Sequence, residues 1–260
     1  MLQQIIEIVK QAGTFMDVSQ ISVYRKGNAS NYVTSADVNV QKFLYSHLKS
    51  LLPDSAFIGE ESMEAEKPQG FTWVVDPIDG TSNFIRNIGY SSISVGLLKD
   101  GEPYIGVIYH PFRNEMFSAE KGKGAFLNGE PIKVSDRDFA HSHLCSAMSL
   151  YDKTYAPPCF RIIDRIYREA DDLRRLGSAA TELAYLAAGR VELYFEIRVF
   201  SWDVCAGMAI IKEAGGYVEC LYEKKLPLDR PFAIIASNTS ENFERLKTIV
   251  QEELPKIPYM

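Results

Sequence analysis

Cysteine and histidine are scarce in this chain, four of each among 260 residues. Cys145, Cys159, Cys205 and Cys220 are widely scattered with no CxxC pair, so each reads as a buried free thiol rather than a disulfide partner or a zinc ligand. His47, His110, His141 and His143 form no HExxH pattern, and the alternating His141 and His143 read as ordinary surface strand or loop. No apolar stretch approaches the roughly 20 residues a membrane span needs. Residues 1–7 lack the basic start and cleavage site of a signal peptide, so a cytoplasmic protein with no membrane partner is expected. An excess of positive charge is missing too: the net charge is −6, which argues against a nucleic-acid partner and an anionic membrane surface. Internal repeats, low-complexity blocks and Pro/Ser-rich linkers are also absent.

What the chain does have is acid placed at the ends of apolar runs. In Trp73-Val74-Val75-Asp76-Pro77-Ile78-Asp79-Gly80-Thr81-Ser82-Asn83-Phe84, the apolar start reads as a buried strand ending at Val75. Pro77 holds Asp76 extended and removes a donor, so the chain is expected to turn there as it leaves the sheet. Gly80, Thr81 and Ser82 read as a helix start whose free N–H groups would face an anion. Taken alone, Asp76 and Asp79 are also compatible with a capped turn after a strand. Glu60, after Phe57-Ile58-Gly59, and Asp203, between Trp202 and the apolar run from Val204, repeat the pattern. Carboxylates flush against apolar segments are costly to bury without a partner, and metal coordination is the general remedy. Oxygen ligands without His or thiolate imply Mg²⁺ or Mn²⁺ rather than zinc. Bound cations would also let an acidic protein hold a phosphate.

Helices are expected over residues 2–18, from Ser35 to Pro53, over 160–169, 178–189 and 204–215, and over 241–253. Residues 56–58, 72–75, 91–98, 104–109 and 115–119 read as strands, and Asn128-Gly129 as a type I′ hairpin turn. Residues 143–149, 193–195, 217–222 and 232–236 read as further strands. The first part, 1–140, is thus an α+β unit carrying most of the acids. The second, 141–260, is an α/β unit carrying Asp203, with the site expected between the two.

Gly59-Glu60-Glu61-Ser62, Asp76-Pro77-Ile78-Asp79-Gly80-Thr81-Ser82-Asn83-Phe84 and Trp202-Asp203-Val204 with Ala206-Gly207 resemble the signature regions of the inositol monophosphatase family. Glu120-Lys121-Gly122-Lys123-Gly124-Ala125-Phe126-Leu127-Asn128-Gly129 and Leu176-Gly177-Ser178-Ala179-Ala180 are similar as well, in order over nearly the whole chain. The resemblance implies an α+β fold, the layered αβαβα sandwich of the inositol monophosphatase and fructose-1,6-bisphosphatase type. It also implies a homodimer, a lithium-sensitive phosphatase, and two to three Mg²⁺ ions with Mn²⁺ as a substitute.

Carried onto this sequence, the resemblance gives Glu60, Asp76 and the Ile78 carbonyl to one metal, and Asp76, Asp79 and Asp203 to a second. A third would rest mainly on Glu60. Asp37 would orient Thr81, which together with Glu60 would position or deprotonate the attacking water. Gly80, Thr81 and Ser82 would bind phosphate oxygens through their amides. Ala179, Glu196, Asp79 and Asp203 would meet the rest of the substrate, and Lys26 matches a lysine on a mobile catalytic loop. Ile197-Arg198-Val199-Phe200-Ser201 departs from the animal pattern, as does the short connection between Glu61 and Phe71. The implied substrate is inositol-1-phosphate, a small phosphorylated polyol. The alternatives are fructose-1,6-bisphosphate, NADP or 3′-phosphoadenosine-5′-phosphate, and, from another class, a non-catalytic regulatory role.

Overall fold

The computed structural model describes residues 1–25, 32–61, 67, 70–148 and 152–254. Lys26 and Ser62 lie outside the described residues. In chain order the elements are α1 (Leu2–Ala12), β1 (Val23–Arg25), β2 (Tyr32–Thr34), α2 (Ser35–Leu51), β3 (Ala56–Gly59), β4 (Phe71–Asp79), α3 (Thr81–Ile85), β5 (Ser92–Lys99), β6 (Glu102–His110), β7 (Glu115–Glu120), β8 (Ala125–Leu127) and β9 (Glu130–Ile132). Then come β10 (His143–Ala147), α4 (Ala156–Tyr167), β11 (Asp172–Arg174), α5 (Ala179–Ala187), β12 (Leu193–Val199), α6 (Ser201–Glu213), β13 (Tyr217–Cys220), β14 (Phe232–Ser237) and α7 (Ser240–Glu253).

Strands β3 to β9 lie side by side in sequence order in one seven-stranded sheet, antiparallel except for the β3–β4 pair. A five-stranded sheet runs β11-β10-β12-β14-β13. Alternation along the strands divides the core into three layers. Trp73 and Val75 of β4 pack with Ile5 and Val9 of α1 and Val40 and Leu44 of α2. Val74 faces the other way, into a central layer with Leu183 of α5 and Val204 of α6 that also holds Tyr194 and Ile234 from the second sheet. Phe195 and Ile235, one residue on, point outward to Ile162 of α4 and Leu246 of α7. The result is the expected αβαβα layering.

Two paired glycines, Gly96 of β5 and Gly106 of β6, let α6 sit directly on the large sheet. A Cβ at Gly106 would lie 2.2 Å from the Ala206 carbonyl oxygen, and one at Gly96 would lie 2.5 Å from Cys205 Sγ. At the Asn128-Gly129 hairpin both residues have positive φ, 51° and 87°, as a type I′ turn requires. All four cysteines are buried free thiols.

Several boundaries differ from expectation: α4 begins at Ala156 rather than 160, and α6 at Ser201 rather than 204, which puts Asp203 inside its first turn. Helix α1 stops at Ala12 and gives way to a single 3-10 turn, Gly13–Phe15, where a Cβ at Gly13 would lie 2.7 Å from the Tyr109 ring. Strand β4 does not end at Val75 but pairs with β5 as far as Asp79, and a register shift between Asp76 and Asp79 absorbs Pro77. Strand β12 runs on past Phe195 to Val199, with its own register shift against β14.

Candidate active site

Asp76 and Asp79 stand at the shifted end of β4 and Asp203 in the first turn of α6, and carboxylate oxygens of all three lie within 4.8 Å of one another. Helix starts hold the acids. Asp203 is the third residue of α6, and its Oδ2 accepts from the Phe200 amide at 2.7 Å. Asp37 occupies the same position in α2, where Oδ2 accepts from the Thr34 amide at 2.7 Å and the Thr34 hydroxyl at 2.5 Å. The Thr34 oxygen accepts in return from the Ala36 and Asp37 amides, a reciprocal cap. Asp79 reaches across to α5, accepting from the Ala180 amide at 2.7 Å and the Ser178 hydroxyl at 2.5 Å. Three helix dipoles thus aim positive ends at three carboxylates.

Those dipoles do not compensate the site fully. Burial pushes Asp76 well above the usual carboxylate range, and Glu60, Asp79, Asp203 and Asp37 push it further. Asp203 is raised by burial and then by Asp79 and Glu60. Asp79 rises to about 6, burial outweighing its bonds from Ser178 and Ala180. Buried like charges of this kind cannot all ionise without a countercharge. A divalent cation provides one, and a donor set made only of carboxylate and carbonyl oxygens suits a hard ion.

Next to the acids, the Thr81 hydroxyl is 3.3 Å from Asp37 Oδ1 and 3.0 Å from the Ile78 carbonyl oxygen, both acceptors for its one proton. Gly80, with φ of 85°, begins α3 in the left-handed region. A Cβ there would come within 2.9 Å of the Gly177 carbonyl, so glycine is required on both counts. Asn83 ties this short helix to the turn at 176–177, donating to the Leu176 carbonyl at 2.7 Å.

One pocket takes in Glu60, Asp76, Ile78, Asp79, Gly80, Thr81, Ser82, Ala179, Glu196 and Asp203. Asp37 stands behind Thr81. The pocket is also lined by residues to which sequence reasoning gave no role in the site: Tyr32, Ala147, Arg175, Glu182 and Arg198. Glu196 accepts from the Tyr194 hydroxyl at 2.7 Å and is pushed up to about 8 by burial, with Glu182 adding to it. Glu182 is raised to about 7, again by burial. Its Oε1 accepts from the Leu176 and Gly177 amides at 2.7 and 3.0 Å, while Oε2 is buried with no partner among the described residues. A signal was available for Glu182, the one charge in the otherwise uncharged stretch Ala179-Ala180-Thr181-Glu182-Leu183-Ala184.

The profile of the inositol monophosphatase family matches residues 1–254. The chain belongs to that family. It is 40% identical over 189 residues to the Nus factor SuhB of Xylella fastidiosa, covering 72% of this chain and 68% of that one. To the inositol-1-monophosphatase of Caulobacter vibrioides it is 34% identical over 231 residues, 87% and 90% of the two chains. The solved IMPase of Thermotoga maritima matches with a TM-score of 0.84 at 31% identity, over 97% of each chain. The layered fold is therefore the family's own, and phosphatase chemistry at a metal-binding acid cluster is supported at the level of the family.

Proposed function

We propose that the chain is a Mg²⁺-dependent phosphomonoesterase that hydrolyses inositol-1-phosphate (myo-inositol monophosphate) to inositol and phosphate. The observation that carries this reading is the meeting of Asp76, Asp79 and Asp203 with the Thr81–Asp37 pair in one pocket. Metal retention alone needs no hydroxyl held by a second buried acid. Mg²⁺ held by Glu60, Asp76, the Ile78 carbonyl, Asp79 and Asp203 would supply Lewis-acid activation of water and neutralise charge on the leaving oxygen. Asp37 orients the Thr81 hydroxyl, which positions the attacking water and relays its proton by passing its own to Asp37, with Glu60 assisting. The amides of Gly80, Thr81 and Ser82 hold phosphate oxygens at the start of α3. Glu196, kept largely neutral by burial, can both donate to and accept from a polyol hydroxyl, and Ala179 leaves room beside it.

A second reading is favoured by the names of the relatives, several of which are Nus factors. On it the chain is a regulatory interaction protein that keeps the metal site for stability or sensing, and the expectation of no nucleic-acid partner would then be open. A phosphate-release panel with Mg²⁺, with and without Li⁺, separates the two. It should include inositol-1-phosphate, fructose-1,6-bisphosphate, NADP and 3′-phosphoadenosine-5′-phosphate. Mg²⁺-dependent, Li⁺-suppressed release from inositol-1-phosphate is expected. Silence on all four esters would overturn the phosphatase reading.

A further inference from the structure

Four side-chain hydroxyls among the described residues line the pocket, and three of them are engaged. Ser178 donates to Asp79, Thr81 is held between Asp37 and the Ile78 carbonyl, and Ser82 accepts from the Arg86 guanidinium at 2.6 Å. The fourth, on the half-buried Tyr32, has no hydrogen-bond partner among the described residues. A tyrosine packed into a cleft wall normally finds a partner for its hydroxyl, and here the cleft itself is the place left for one.

Strand β2 turns this ring inward. Tyr32 and Thr34 stand two residues apart on β2, so their side chains leave the same face of the strand. The Thr34 hydroxyl is spent on Asp37, the acid that holds Thr81. Tyr32 is thus carried to the pocket by the same strand that caps α2. Strand β2 also packs against α3, whose first residues are Thr81 and Ser82. Arg25 lies directly opposite Tyr32 on β1, with its guanidinium carbon 5.9 Å from the ring centroid. That contact uses the ring and leaves the hydroxyl free.

Position decides which part of a substrate the hydroxyl meets. The polyol contacts, Ala179 and Glu196, come from α5 and β12. Tyr32 comes from the strand beside α3, which supplies the phosphate-binding amides. A neutral donor also suits this end of the pocket. Glu60, Asp76, Asp79 and Asp203 line it as well, and a lysine or arginine placed among them would pair with a carboxylate. A phenol forms no ion pair, so its proton stays available to a phosphate oxygen.

We infer that Tyr32 is a further substrate-binding residue, whose hydroxyl donates a hydrogen bond to a phosphate oxygen of the bound ester beside the amides of Gly80, Thr81 and Ser82. It reads the phosphate and not the alcohol, so its contribution is the same for every monoester the pocket admits. Hydrogen bonds to a charged oxygen are the strong ones, which makes the loss of this single donor measurable. The inference rests on the phosphatase reading and deepens it by naming a residue that holds the group being transferred.

The test pairs Tyr32→Phe, which removes the hydroxyl alone, with Tyr32→Leu, which removes the ring as well. With Mg²⁺ present, inorganic phosphate is expected to compete with inositol-1-phosphate, and its inhibition constant should rise about tenfold in Tyr32→Phe. KM should rise by a similar factor for inositol-1-phosphate and for glycerol 2-phosphate, two esters that share only the phosphate. Tyr32→Leu should lose at least as much, and matching melting temperatures without phosphate show that both variants are folded. Wild-type inhibition by phosphate in Tyr32→Phe, with a loss only in Tyr32→Leu, would make the side chain a packing ring and overturn the contact. A KM shift for one ester and not the other would put the hydroxyl against the alcohol and overturn it too. If neither ester is turned over, the phosphatase reading fails by itself, and the contact is read from melting curves with Mg²⁺ and inorganic phosphate. Stabilisation of the wild type by phosphate that shrinks in Tyr32→Phe supports the contact, and equal stabilisation, or none in the wild type, overturns it.

Discussion

Asp203 shows how one side chain can serve fold and site at once. Its Oδ2 caps α6 at Phe200, while its charge crowds Asp79 and Glu60. Replacing it with Asn removes the charge and keeps an oxygen for the Phe200 amide. Asp203→Asn, or Asp76→Asn, is therefore expected to abolish phosphate release while the metal-free protein melts at or above the wild-type temperature. Undiminished turnover in either purified variant would sink the proposed mechanism. His110 is the converse case, a buried titratable group away from the acid cluster. Neither ring nitrogen has a partner among the described residues, and burial pushes the imidazole down to about 4. The unfolded chain takes up that proton near pH 6.5, so between about 6.5 and 4 it binds more protons than the native state. Stability from the neutral ring is present above this window and lost as pH falls through it. Phe in its place keeps the edge contacts with Tyr90 and Phe112, at 5.4 and 6.1 Å between centroids, and removes the titration. Thermal melts at pH 7 and pH 5 should show His110→Phe losing less stability on acidification than the wild type. An equal or greater loss would refute the assignment.

At the level of elements, the position of α6 governs that of Asp203, and α6 rests on Gly96 and Gly106. Ala at 106 would drive a Cβ into the Ala206 backbone, which cannot swing aside as a side chain could. Gly106→Ala should cost about 1–3 kcal/mol or more in a urea melt and weaken the Mg²⁺ dependence of activity. Wild-type stability together with an unchanged Mg²⁺ requirement would show that the helix position matters less than its contacts suggest. This element also marks the limit of what sequence reveals. The Asp76–Phe84 stretch was legible because its chemistry is local: strand, proline, glycine and helix start follow one another along the chain. The start of α2 at Ser35 and the Asn128-Gly129 hairpin are local in the same way. Gly96 and Gly106 were not legible as site-forming residues, because only a helix crossing the sheet gives them that role. The end of β4 was misread for the same reason. Pro77 does interrupt pairing, but β5 resumes it two residues later, and only the partner strand shows that.

Across the whole molecule, α3, α5 and α6 all begin at the same pocket and α2 begins behind Thr81, and α2, α5 and α6 spend their first-turn dipoles on Asp37, Asp79 and Asp203. These dipoles still leave Asp76, Asp79 and Asp203 raised. The consequence is a stability that depends on metal and pH together. For Asp79 the folded value of about 6 lies above the ordinary 3.8, so between them the native state holds more protons than the unfolded one. Its stability contribution is fullest below that window and falls as pH rises through it; Asp76 and Asp203, raised further, extend the loss upward. Chelated protein should therefore melt at a lower temperature at pH 8 than at pH 5.5, and Mg²⁺ should recover most of the difference. At one hundred times its dissociation constant, a ligand of the native state adds about 2.7 kcal/mol. For a chain of this size that is roughly 5–10 °C. Because protons compete for the same oxygens, the gain should shrink on acidification. Melting curves with EDTA and with Mg²⁺ at the two pH values would decide it. If the metal moved neither curve, the three aspartates would be a cluster that the helix starts alone can hold.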